Sequence, residues 1–133
     1  MTARDGARSL AFGRVAVGSS LMLFPRLSAR IWMGDAVDTP GGQVAIRALG
    51  VRDAIMGMIV LHTVDHADVG PRWVATCALA DGVDALATAA VRRDRPRVTG
   101  TVLFPVGAAL TAAAGLAFAR GLKASPPAAP AAA

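Results

Sequence analysis

The run from Gln43 to Val64, QVAIRALGVRDAIMGMIVLHTV, limits the fold more than any other stretch. An apolar helix of about 20 residues has the length that crosses a hydrocarbon core. This run carries Arg47, Arg52 and the adjacent Asp53 inside it. An ionisable group at mid-bilayer costs about 2.5–3.5 kcal/mol on insertion scales. A chain that keeps three of them in one span has to supply partners of opposite sign elsewhere.

Three further apolar runs have similar length. Ala7 to Phe24 is interrupted by Arg8 at its edge and by Arg14. Arg72 to Val91 holds Asp81 and Asp84 in its middle, and Val98 to Ala119 has no charge. The connections Asp65–Gly70 and RRDRPR (residues 92–97) are short, and short connections set neighbouring helices antiparallel. The expected fold is all-α, an antiparallel four-helix transmembrane bundle. The first run has the basic start and apolar core of a secretory signal, but Arg14 in that core and the lack of a small-residue cleavage site read against one.

Residues 25–42 form the longest connection. Pro25 ends the first helix. Leu27 to Met33 (LSARIWM) reads as a short interfacial helix between helices 1 and 2, with Trp32 at headgroup level, or as a loop with one anchoring Trp. Thr39 and Pro40 read as the N-cap and first position of the next helix. Pro105 is placed to kink the fourth span. The chain divides into a four-span membrane domain over residues 1–122 and a Pro/Ala-rich tail, residues 123–133, expected to be disordered.

Composition agrees with a lipid setting. Apolar residues make up 54% of the 133 positions and charged residues 17%, against about 25% charged in soluble domains. The net charge is +5. Setting aside Arg14, Arg47 and Arg52 with Asp53, Asp81 and Asp84 leaves 11 basic against 6 acidic residues in the flanks. Flanking positive charge anchors spans beside anionic lipid heads. Nucleic-acid binding would need a basic face with interleaved aromatics or a known motif; neither is present, so no nucleic-acid partner is expected. The expected partners are the lipid bilayer and either a second copy of this chain or a membrane partner protein. The expected location is the cell membrane, multi-pass. The arginines of 92–97 favour both termini outside, weakly, because Arg4, Arg8, Arg72, Arg120 and Lys123 sit on the opposite side.

Helical geometry lets the internal charges meet. At 100° per residue Arg47, Gly50, Asp53, Ala54 and Gly57 fall within an arc of about 120°. Cys77, Asp81, Asp84 and Thr88 share a face of the third span, and Gly107, Thr111 and Gly115 form a small-residue stripe on the fourth. Asp53 and Asp81 lie at similar depth in consecutive spans. The expected network joins Arg14, Arg47 and Arg52 to Asp53, Asp81 and Asp84. Arg52 points about 90° or more from Arg47, so it serves a different helix or a subunit contact. Two roles fit: a structural network that fixes helix register, or the lining of a polar cavity for an ion, a proton or an amphipathic ligand.

Other chemistry finds little support. The one cysteine, Cys77, has no histidine in its span to act as base. His62 and His66 stand four apart in HTVDHAD but at a helix end and without the glutamate of a metalloprotease motif. No catalytic residue, metal ligand or cofactor site is expected.

GRVAVGSSLMLFPRL in the first span and RALGVRDAIMG in the second resemble small four-span bacterial membrane proteins of the DoxX-like type and actinobacterial relatives of similar size. The resemblance covers about a fifth of the chain. It implies a four-helix membrane fold and no catalytic residues. The expected function is an accessory subunit or small-ligand binder. The alternatives are a membrane-embedded enzyme acting on a lipid or quinone-like substrate, with Asp81 or Asp84 as acid or base, and a dimeric small transporter.

Overall fold

The computed structural model describes residues 2–91 and 100–124. Among them the chain is helical throughout, with no strand. The 92–97 loop, the first two residues of the fourth predicted span and the tail from residue 125 lie outside the described residues.

Helix α1 spans Ala3–Leu23. Thr2 opens it with a reciprocal cap: the Asp5 backbone N–H donates to Thr2 Oγ1 at 3.1 Å, and the Thr2 backbone N–H donates to Asp5 Oδ2 at 3.0 Å. The pair satisfies two of the donors that a helix start leaves unpaired. Pro25 ends α1 and is itself the first residue of α2, Pro25–Met33. A 3-10 turn, Gly34–Asp38, follows. The segment Pro25–Asp38 leaves α1 at 101°. Arg26 and Arg30 both pair with Asp38, at 3.4 and 3.3 Å, and tie α2 to the turn. The connection after the first long helix is therefore mostly helical. Its tryptophan does not stand free: Trp32 stacks on Phe104 of the last helix, with ring centroids 4.3 Å apart.

Helix α3 spans Pro40–Thr63. Thr39 is its N-cap, with Oγ1 accepting from the Gly42 backbone N–H at 3.0 Å, and Pro40 occupies the first turn. Helix α4 spans Gly70–Val91, and α5 spans Gly100–Ala124, running through Pro105 as one helix.

Glycines decide how the helices pair. α1 packs mainly on α3, and α4 mainly on α5. Gly18 of α1 lies against Gly50 and Ala54 of α3, so close that an added Cβ would sit 2.5 Å from the Ala54 nitrogen. Gly57 of α3 lies in the same way against Ala11 and Val15. Gly115 of α5 meets Ala78 of α4. α1 and α5 touch where the Phe118 ring covers Gly6 and where Gly121 meets Ala3. One core gathers Ala7, Ala11, Val60, Val64, Val74 and Cys77 between these ends. A second, formed by Leu21, Ala29, Val37 and Ile46, lies under α2.

The exposed helix faces carry many large apolar side chains, while the buried core is apolar apart from Asp81. On α4 the exposed stripe is Leu79, Val83 and Leu86, at 64%, 64% and 73% exposure, while Asp81 is buried at 9%. Soluble helices turn the apolar stripe inward. Among the described helices, the Val102–Ala124 part of α5 is long and apolar enough to cross a membrane; α1 meets the same test only together with the bent segment that follows it. The arginines and aspartates inside α1, α3 and α4 lower the apolar content of those helices.

Candidate functional site

Five of the six ionisable residues singled out in the sequence converge where α1, α3 and α4 meet. Arg14 stands on α1, four residues before Gly18, so the close contact of α1 with α3 carries its guanidinium between helices. Its Nη1 donates to Asp53 Oδ1 of α3 at 3.0 Å, and its Nη2 to Asp81 Oδ2 of α4 at 2.5 Å. Arg52, next to Asp53, reaches α4 instead. Its Nη2 and Nη1 donate to the two oxygens of Asp84 at 2.5 and 3.3 Å. A longer contact of 3.4 Å from Arg52 Nη2 to Asp53 Oδ1 joins the two halves into one network. Arg14 and Asp81 are each 12% exposed in the side chain, whereas Arg52 is 40% exposed. The Arg52 Nε is buried and has no hydrogen-bond partner.

Arg47 is not in the network. It is exposed and donates to Gln43 Oε1 at 3.3 Å, one turn back on its own helix. The expected arc of about 120° had Arg47 at one edge and Asp53 at the other. The face that packs on α1 is instead set by Ile46, Gly50 and Gly57, all buried. Arg47 follows Ile46 and so points about 100° away from that face. Its position nearer the helix start lets the long side chain reach toward the end of α3. Arg52, expected to serve a different helix or a subunit contact, pairs with Asp84 of α4 within the same chain.

The carboxylates form the floor of a cleft of about 520 Å³. Its walls are apolar: Leu10, Val17 and Leu21 from α1, Trp32 from α2, and Leu103 and Phe104 from α5. Arg14, Asp53, Asp81 and Asp84 line its base. α1 and α5 touch near Gly6 and Phe118, and the stacked Trp32 and Phe104 join α2 to α5 toward the other end. The cleft lies between these contacts. Val17, Ile31 and Leu103 line it and are also exposed, so it opens to the surroundings. Gly13 and Gly107 face it, and an added Cβ at either would meet no described atom within 4 Å. The small-residue stripe of α5 therefore has two uses: Gly115 permits contact with α4, while Gly107 leaves space. A water-sized hollow of about 20 Å³ lies beside the floor, lined by Arg14, Asp81, Cys77 and Thr111 among others.

The floor is not electrically balanced. Two guanidinium groups meet three carboxylates. Asp53 uses Oδ1 for both of its arginine contacts, and Asp81 uses only Oδ2. Asp53 Oδ2 and Asp81 Oδ1 accept no hydrogen bond from the described residues.

A second ionic contact escaped the sequence reading. Asp65, which stands between the two histidines, pairs with Arg8 at 2.6 Å and Arg4 at 3.3 Å. These groups are 57 and 61 positions apart in sequence, and no local spacing announces them. His62 Nδ1 lies 2.8 Å from the Met58 carbonyl, one turn back, and His66 is exposed. Among the described residues no group of three or more His, Cys, Asp or Glu side chains is placed to hold a metal. Comparison with protein-family models, with characterised proteins and with solved structures finds no match to this chain.

Proposed function

We propose that this is a multi-pass integral membrane protein that binds a small amphipathic ligand in the cleft between α1 and α5. The four long helices run antiparallel as a transmembrane bundle in this reading. Its support is the pairing of early residues of one helix with late residues of the next, as in Gly18 with Gly50 and Ala11 with Gly57. The exposed large apolar side chains support a lipid setting, because they gain nothing by facing water, and close packing through small residues is how helices associate in lipid. The charges of α1, α3 and α4 do not weigh against it, since they pair with one another away from lipid. The DoxX-like resemblance belongs to the same proposal. Its two motifs supply Arg14 from one and Arg52 with Asp53 from the other.

The cleft carries the ligand reading. A polar floor under apolar walls matches a molecule with one polar end and one greasy end, and a volume of about 520 Å³ falls in the range of small-molecule sites. The opening between α1 and α5 would admit such a molecule sideways from the membrane.

Two measurements test this. Alkaline carbonate should leave the protein in the membrane pellet; release into the supernatant overturns the membrane reading. Native mass spectrometry of the protein from nanodiscs should show a small-molecule adduct that Gly107→Leu removes, because leucine at that position fills the cleft without meeting backbone. An adduct unaffected by Gly107→Leu and Gly13→Leu would place the ligand elsewhere.

A further inference from the structure

We infer that the cleft selects an amphiphile whose head carries a single positive charge, such as a protonated primary amine. The inference rests on the ligand-binding reading above and adds the sign of the head. Among the described residues the network at and behind the floor sets Arg14 and Arg52 against Asp53, Asp81 and Asp84, one negative charge in excess. A charge left uncompensated at the base of an apolar-walled cleft attracts a cation that can reach it.

The geometry agrees with the count. Both arginines are already engaged by carboxylates, so neither offers a free fork to an anionic head. The spare acceptors are Asp53 Oδ2 and Asp81 Oδ1, on residues that line the cleft. An ammonium group has three donors and no acceptor, which suits a floor with acceptors to spare. The walls then take the alkyl part along Leu10, Val17 and Leu103. Asp53 carries the excess in a practical sense. Without it Arg14 keeps Asp81 and Arg52 keeps Asp84, and the floor becomes neutral.

The test uses the full chain in phosphatidylcholine nanodiscs, with Trp73→Phe so that Trp32 at the cleft wall is the remaining tryptophan. Decylamine, decanol and decyl sulfate share a tail and differ in head. Titrations of Trp32 emission are corrected for partition into empty nanodiscs. Decylamine should bind about tenfold or more tightly than decanol, as expected for a unit charge satisfied in a partly dry site, with decyl sulfate weakest. Asp53→Asn should bring the amine-to-alcohol ratio to about one, since the charge that sets it is gone. Ala108→Lys, which adds a positive charge to the cleft wall, should do the same and serves if Asp53→Asn does not accumulate. Equal binding of decylamine and decanol by the parent, both lost in Gly107→Leu, overturns the inference and leaves the cleft as a ligand site whose floor is neutralised by a held proton. No change in Trp32 emission with any of the three probes overturns the inference together with the ligand reading beneath it.

Discussion

Arg52 holds Asp84 with both terminal nitrogens, at 2.5 and 3.3 Å, across the gap between α3 and α4. These two helices touch sparsely elsewhere, although they are consecutive in the chain. The closest packing is within two helix pairs, α1 with α3 and α4 with α5, and the joint between the pairs combines a shared apolar core at Ala7, Ala11, Val60, Val74 and Cys77 with this ionic network. Arg14 makes the same kind of crossing, with Asp53 on one side and Asp81 on the other. The charges thus add to that core: they tie one pair to the other at a second level, and the cleft lies beside that joint.

Arg47 and Arg52, five residues apart on one helix, should respond very differently to the same substitution. Arg47→Met removes a 3.3 Å contact to Gln43 on an exposed face, and such changes cost within about 0.5 kcal/mol. Arg52→Met leaves Asp84 without a partner and should cost about 3 kcal/mol, at the low end for broken buried pairs because Arg52 is partly exposed. Reversible unfolding in bicelles followed by tryptophan emission measures both. Equal losses for the two variants would contradict the assignment of Arg52 to the joint.

Arg14→Met strands Asp81 and leaves Asp53 only its long contact to Arg52. The expected loss is about 3–5 kcal/mol. Arg14→Met combined with Asp81→Leu replaces the pair by apolar groups, and a buried pair replaced in this way is often close to neutral. The double variant should therefore be more stable than Arg14→Met alone. A double-mutant cycle reads this directly, and simple additivity of the two losses would show that Arg14 and Asp81 do not depend on each other.

Much of this joint was legible in the sequence, for a physical reason. Ionisable residues inside apolar runs have few places to go, so Arg14, Asp53, Asp81 and Asp84 had to meet. Which arginine of α3 joined them was not legible. The helical wheel put Arg47 and Asp53 at the two edges of one arc of about 120°, but the wheel does not say which side of a helix a neighbour covers. Gly50 and Gly57 settled that by admitting α1, and Arg52 then reached α4 through the length of its side chain. The cleft was illegible for a different reason. It depends on α1 and α5 meeting at Gly6 and Phe118 and not farther along, and on Trp32 crossing to Phe104 after a turn of 101°. Neither the bend nor the stacking partner leaves a periodic trace in the residues. The proposed four-span reading rests on the exposed apolar side chains as well as on hydropathy, since one described helix alone is long and apolar enough by composition.

Gly18 and Gly82 should separate close approach from helix propensity. A methyl group at Gly18 would press on the backbone of Ala54 and Gly50 at 2.5 Å. Gly18→Ala must therefore push α1 from α3, and overpacking of this kind costs about 1–3 kcal/mol. At Gly82 an added Cβ meets no described atom within 4 Å. Gly82→Ala should be neutral, or stabilising by up to about 1 kcal/mol through the better helix propensity of alanine. Unfolding midpoints of the two variants check the order, and a destabilising Gly82→Ala would mean that α4 packs against something on that side.

Asp65 offers the contrast between an exposed ionic contact and the interior joint. Its ion pairs with Arg8 at 2.6 Å and Arg4 at 3.3 Å are as short as several contacts in the network. Yet Asp65 and Arg8 are 45% and 42% exposed in the side chain, and screened pairs of this kind contribute about 0–1 kcal/mol. Asp65→Asn should therefore cost little at low salt and nothing measurable near 1 M salt, where the screening length falls to about 3 Å. The loss on Arg14→Met should persist at the same salt, because Arg14 and Asp81 are each only 12% exposed and buried pairs are screened much less. Paired unfolding curves at both salt concentrations give the comparison. A loss on Asp65→Asn that is as large as that of Arg14→Met and insensitive to salt would show that burial is not what separates the two clusters.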